Sequence, residues 1–163
     1  MMFNQEKIDG IRNRLVTRSE KLSVAESVTA GLLQAAFASA ETALKFFEGG
    51  ITTYNIHQKV KHLQIDKANA AASNCVSEQT ATEMAHGVCR LFGTDWGIGI
   101  TGYATRVPES DFKLFAYFSI VFKGALMESH LLELNNEQPE EAQLKYVDEI
   151  TKHFLTLLDR DHA

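Results

Sequence analysis

Apolar residues recur along this chain at two different spacings, and the alternation between them predicts an α/β fold. Over residues 4–19, Ile8, Ile11 and Leu15 stand at helical spacing, with Lys and Arg on the opposite face. Leu22-Ser23-Val24-Ala25 is a short apolar run that reads as a strand ending at Glu26, and an Ala- and Leu-rich helix is predicted over 27–40. Glu48-Gly49-Gly50 reads as a break before the β-branched stretch Ile51-Thr52-Thr53-Tyr54, a second strand. A short helix over 56–64 carries His57, Lys59, Lys61 and His62.

The clearest helical pattern spans 77–91. There Ala81, Met84, Ala85 and Val88 share one face, Ser77 suits an N-cap and Glu78 complements the helix dipole. Trp96-Gly97-Ile98-Gly99-Ile100-Thr101 alternates large and absent side chains, as a strand does beneath a closely packed helix. Two long apolar runs, 114–122 and 126–134, meet at Lys123-Gly124-Ala125, a connection short enough for an antiparallel hairpin. A last helix over 140–158 aligns Val147, Ile150, Phe154 and Leu157.

The order is therefore α-β-α-β-α-α-β-β-β-α. Strands separated by helices call for a layered α/β sheet, and the hairpin makes that sheet mixed, so a three-layer α/β/α sandwich is expected. With 163 residues, two prolines and no repeat or low-complexity tract, residues 1–163 read as a single domain.

Composition narrows the classes. The hydrophobic share of 45% and charged share of 23% are those of a globular protein. A net charge of −5 argues against a dedicated nucleic-acid binder. Two cysteines cannot make a disulfide framework, the polar start MMFNQEKIDG is unlike a signal peptide, and no apolar run is long enough for a membrane span. A reducing cytoplasm is the expected setting. Cys75 reads as a loop thiol, Cys89 as a packed helix residue and Trp96 as core. His57 and His62, five apart, do not share a helix face for a metal.

Ligands of such sheets gather where strands turn into helices. Three strand ends stand out: Glu26-Ser27-Val28-Thr29-Ala30-Gly31, Tyr54-Asn55 with Lys59 beyond, and Thr101-Gly102-Tyr103-Ala104-Thr105-Arg106. Ser27 sits where it can cap a helix, or meet a phosphate or oxyanion at the helix N-terminus. Lys59 reads as a base for Ser27 if burial lowers its pKa, as a cation for a phosphate, or as a solvated surface lysine. Tyr54 reads as a packing residue or a member of the site. Glu26 either orients Ser27 or Lys59 or satisfies nearby backbone donors.

These segments resemble the CinA C-terminal domain family. Glu26-Ser27-Val28-Thr29-Ala30-Gly31 is similar to its E-S-x-T-G-G motif, and 46–55 to its F-x-G-G-x-x-x-Y-S/N segment, with Lys59 at the family lysine. Val76-Ser77-Glu78 with Met84-Ala85 resembles its V-S-E…M-A helix, and Ile100-Thr101-Gly102-Tyr103-Ala104 the start of its T-G-I-A-G-P loop. The resemblance covers about residues 10–134. It implies an amidohydrolase that converts nicotinamide mononucleotide to nicotinate mononucleotide and ammonia, with Ser27 as nucleophile, Lys59 as its activating partner and Tyr54 in support. Thr29, Gly31, Thr101 and Gly102 would then belong to the substrate-binding surface, the first two by shaping the turn. No metal or cofactor is implied, the partner is a small nucleotide, and self-association is expected because relatives often form oligomers.

The chain departs from the pattern at Ala30 in place of glycine, a small change if that backbone is helical. It departs again at 104–110, where the family carries glycines, and at 135–141, where the family carries an arginine. In the first of these stretches Arg106 either supplies a phosphate contact in compensation for the lost glycines or is an unpartnered surface arginine. These departures carry the alternative, a catalytically degenerate module that binds a nucleotide or a protein.

Overall fold

The computed structural model describes residues 2–160, which form a five-stranded mixed sheet between helices. Helix α1 (Gln5–Arg18) is opened by Asn4, whose side chain accepts from Lys7 N, and packs Ile8, Ile11 and Leu15 inward. It is followed by β1 (Leu22–Glu26), α2 (Leu32–Ala38), β2 (Phe47–Thr52), α3 (Ile56–Leu63), α4 (Lys67–Ala72), α5 (Glu78–Phe92) and β3 (Trp96–Gly102). Strands β4 (Phe115–Phe122) and β5 (Ala125–Glu133) and helix α6 (Pro139–Arg160) complete the order.

The strands lie in the order β2-β1-β3-β4-β5. β1 runs parallel to β2 and β3, while β3, β4 and β5 are successively antiparallel, so the expected mixed sheet is present. Lys123 (φ 47°) and Gly124 (φ 86°) both adopt left-handed backbone, which gives the two-residue hairpin turn a twist that matches its strands. On one face Leu22, Val24, Trp96, Ile98, Phe118 and Ile120 meet α1, α2 and α6. On the other, Ala25 meets Leu63, Met84 and Val88 of α3 and α5. No helix among the described residues is long and apolar enough to cross a membrane.

The glycines of β3 are there for α5. A Cβ added at Gly99 would lie 2.3 Å from Ala81 O, and one at Gly97 2.5 Å from Ala85 O. The helix therefore lies directly on the strand backbone, as the alternating pattern predicts.

Three expectations shift. α2 begins at Leu32 rather than Ser27, because residues 27–31 form a turn in which Ala30 (φ 51°) and Gly31 (φ 98°) are both left-handed. The condition that would have made Ala30 a neutral replacement for glycine is therefore not met. β2 starts at Phe47, ahead of the glycine pair that reads as a break. Those glycines belong to the strand because a Cβ at Gly50 would lie 2.6 Å from Gln34 Cγ and 2.7 Å from Val24 O. Helix α4 has no apolar periodicity to announce it; Asp66 caps it by accepting from Asn69 N at 3.0 Å.

Candidate active site

The carboxyl ends of the three parallel strands open on one cavity of about 670 Å³, a size suited to a small-molecule ligand. Ser27 and Val28 line it from the end of β1, Tyr54 and Lys59 from beyond β2, and Thr101 and Gly102 from β3.

Ser27 does not cap α2. Glu26 does, from inside the protein. Its Oε1 accepts from Leu33 N at 2.7 Å and from Thr29 Oγ1 at 2.6 Å, and its Oε2 accepts from Gln34 N at 2.9 Å. A carboxylate at the positive end of a helix is favourable, and here it is fully buried and fully used. Of the two roles read for Glu26, the satisfaction of backbone donors is the one it performs. The arrangement releases the Ser27 hydroxyl from capping. Among the described residues the backbone N–H groups of Ser27, Val28 and Thr29 donate to no protein atom.

Lys59 enters from the first turn of α3, which Asn55 opens by accepting from Gln58 N at 2.9 Å. Its side chain is 1% exposed, and its Nζ donates to Ser27 Oγ at 3.0 Å and to Thr53 O at 2.7 Å. Thr53 N in turn donates to Glu26 O at 2.9 Å, so the ends of β1 and β2 hold the lysine between them. No carboxylate pairs with it among the described residues. Burial pushes the Lys59 ammonium below its ordinary 10.5, and the charge of nearby Cys75 offsets a part of this. Burial likewise raises the Cys75 thiol above its usual value, against the pull of Lys59. A buried amine whose pKa burial lowers, 3.0 Å from a serine hydroxyl, can act as a general base in its neutral form.

The remaining expected residues divide. Thr101 and Gly102 lie on the cavity wall; Thr101 Oγ1 donates to Cys75 O at 2.7 Å, and a Cβ at Gly102 would sit 2.4 Å from Ala116 Cβ. Tyr54 borders the cavity but is 72% exposed, and its hydroxyl bonds neither Ser27 nor Lys59. Thr29 and Gly31 stand behind the turn, outside the lining, where they serve Glu26 and the start of α2. Arg106 also lies outside the lining: its guanidinium donates to Asn135 O at 3.2 Å. Lys59 is the one charged side chain among the lining residues.

The sequence reading missed Asn74, Cys75 and Gln143, which also line the cavity. Asn74 (φ 53°) and Cys75 (φ 63°) form a tight left-handed turn after α4. Gln143 of α6 donates from Nε2 to Val28 O at 2.9 Å, and Tyr146 donates from its hydroxyl to Tyr103 O at 2.8 Å. The paired non-glycine left-handed positions are foreshadowed by Ser73-Asn74, a turn-prone pair. For Gln143, 116 positions along the chain from Ser27, no local signal exists.

Residues 4–149 match the model of the CinA C-terminal domain. A CinA-like protein of Trichodesmium erythraeum is 33% identical over 137 residues, 82% of this chain and 32% of the relative. One from Picosynechococcus is 43% identical over 101 residues, 62% of this chain and 24% of the relative. The chain thus spans about a quarter to a third of the length of these relatives. Among solved structures, a competence-damaged protein (CinA) superfamily protein from Klebsiella pneumoniae superposes with a TM-score of 0.90 at 26% identity, covering 96% of this chain and 98% of that one. Another from Escherichia coli gives 0.87 at 26% identity, with 94% and 89% covered.

Proposed function

Since the chain belongs to the CinA C-terminal domain family, we propose that it is an amidohydrolase of nicotinamide mononucleotide, with Ser27 as nucleophile and Lys59 as its base. The observation that carries the reading is the 3.0 Å contact between Ser27 Oγ and a buried Lys59 that has no carboxylate partner among the described residues. In its neutral form Lys59 takes the Ser27 proton as Oγ bonds to the amide carbon. The oxyanion that forms is met by N–H donors of the Ser27–Thr29 turn. Collapse breaks the C–N bond, and Lys59 returns the proton to the departing ammonia. Water then repeats the sequence: Lys59 takes its proton, the C–Oγ bond breaks, and the acid leaves with Ser27 restored. The sum is amide plus water giving acid plus ammonia. The pyridine-nucleotide substrate belongs to the cytoplasm, and self-association accords with the family.

A second reading rests on charge. With Lys59 the one charged side chain on the wall and Arg106 engaged by Asn135, little offsets a phosphate. On this reading the cavity binds a nucleotide or a protein segment without turnover.

Ammonia release from nicotinamide mononucleotide, measured beside Ser27→Ala, separates the two. Turnover that vanishes in the variant supports the amidohydrolase. No turnover from the folded wild type at about millimolar substrate rules that substrate out.

A further inference from the structure

Away from the cavity, a second set of polar groups converges between β5 and α6. Glu128 and His130 are two apart on β5 and so share a face, and His153 meets them from α6. His130 Nε2 lies 2.6 Å from Glu128 Oε1, and His153 Nδ1 lies 3.9 Å from the same oxygen. The two imidazoles are 4.0 Å apart by ring centroids, and one donor atom from each of the three residues falls within 4.8 Å of the others. His130 stacks on the buried Phe118 ring at 5.1 Å, and His153 tilts against the same ring at 5.5 Å, which holds both in place.

We propose that Glu128, His130 and His153 form a binding site for a first-row divalent cation, with zinc as the metal it suits best. Two imidazoles and one carboxylate are a ligand set that zinc takes, with a fourth position left for water. Tetrahedral bonds of about 2.0 Å place ligand atoms about 3.3 Å apart. The two separations to Glu128 Oε1, 2.6 and 3.9 Å, straddle that value, and all three donor atoms lie within 4.8 Å of one another.

The surroundings fit the same purpose. Glu149 Oε2 lies 3.8 Å from His153 Nε2, beside the ring nitrogen that faces away from Glu128. Arg160 lies against Glu128 Oε2, a buried oxygen with no well-formed hydrogen bond, which leaves Oε1 facing the histidines. The Arg160 side chain is itself 61% exposed, so it can stay on Oε2 or turn into solvent. Lys152 also bears on His153, as a weak opposing charge. His153 is ten residues beyond Gln143 on α6, about 15 Å along the helix. The metal site is therefore separate from the cavity and independent of the amidohydrolase reading.

Titration of the tag-free protein with Zn2+ against a competing chelator tests it, with thermal unfolding followed in parallel. The expected result is one saturable equivalent and a higher Tm. His130→Gln and His153→Gln should each weaken binding more than about tenfold, while Cys75→Ser with Cys89→Ser leaves it unchanged. No saturable equivalent in the wild type, undiminished binding in both histidine variants, or dependence on the thiols overturns the proposal. Should a histidine variant fail to fold, Co2+ bound to the wild type decides: a tetrahedral d–d band without thiolate charge transfer supports the site, and no such band rejects it.

Discussion

Glu26 Oε1 accepts from the backbone N–H of Leu33 at 2.7 Å, so the residue just before the candidate nucleophile caps the helix that follows it. This one contact ties the position of Ser27 to the start of α2. The capping that would otherwise occupy a serine at a helix N-terminus is done from inside, and Ser27 is left to Lys59.

Glu26→Ala should therefore lower stability by about 3 kcal/mol or more, since it strands a buried hydroxyl and two backbone N–H groups. Equilibrium unfolding in urea measures it. A loss below about 1 kcal/mol would mean that water replaces the carboxylate and that the cap matters little.

For the chemistry, Ser27→Ala should cut amide hydrolysis about a thousandfold or more, and Lys59→Met about a hundredfold or more. Both variants should stay folded, because neither removes core packing. If Lys59→Met kept wild-type kcat/KM, lysine would not be the base.

Lys59 also sets a pH dependence. Its folded-state pKa lies below the ordinary 10.5, so between those two values the unfolded chain holds the extra proton. Stability contributed by this group therefore rises with pH across that interval and levels off above 10.5. The stability difference between wild type and Lys59→Met should grow in favour of the wild type with rising pH. The difference removes the opposing trend of Cys89, whose thiol burial raises. Activity should follow the same ascending limb. A difference that stays flat up to about pH 10 would mean that Lys59 titrates as an ordinary surface lysine.

Gly99→Ala should destabilise by about 3 kcal/mol, because its methyl would meet Ala81 O at 2.3 Å and α5 would have to lift off β3. Thermal unfolding reads this directly, and an unchanged Tm would show that α5 moves away without cost.

Ala30→Gly runs the other way. Ala30 holds φ 51°, a conformation that costs a residue with a Cβ about 1 kcal/mol relative to glycine. The substitution should raise stability by about 0.5 kcal/mol after the entropy of glycine is counted. A fall in Tm would show that the Ala30 methyl packs usefully.

The sequence revealed the layers and the central pair, but not the walls of the cavity. Apolar periodicity marks α1, α5 and α6, and the glycine alternation of β3 states which face α5 covers. Ser27 and Lys59 are legible because each follows a strand end within a short motif. Gly49 and Gly50 mislead, since the same absence of side chain that marks a break also marks a strand approached closely by its neighbours. The Ser27 turn misleads because a cap is usually supplied by a neighbouring residue, whereas Glu26 reaches forward to Leu33 and Gln34. Gln143 is invisible because its place in the cavity depends on how α6 docks.

That docking bears on when the cavity is first complete. Gln143 and Tyr146 tie the Val28 and Tyr103 segments together, yet both belong to α6, made long after β1 and α3. A chain emerging from the ribosome carries its serine and its lysine long before the groups that close the cavity around them. The candidate nucleophile is thus made early and enclosed late, and a nascent or truncated chain lacking α6 would hold Ser27 and Lys59 without the wall that α6 gives their cavity.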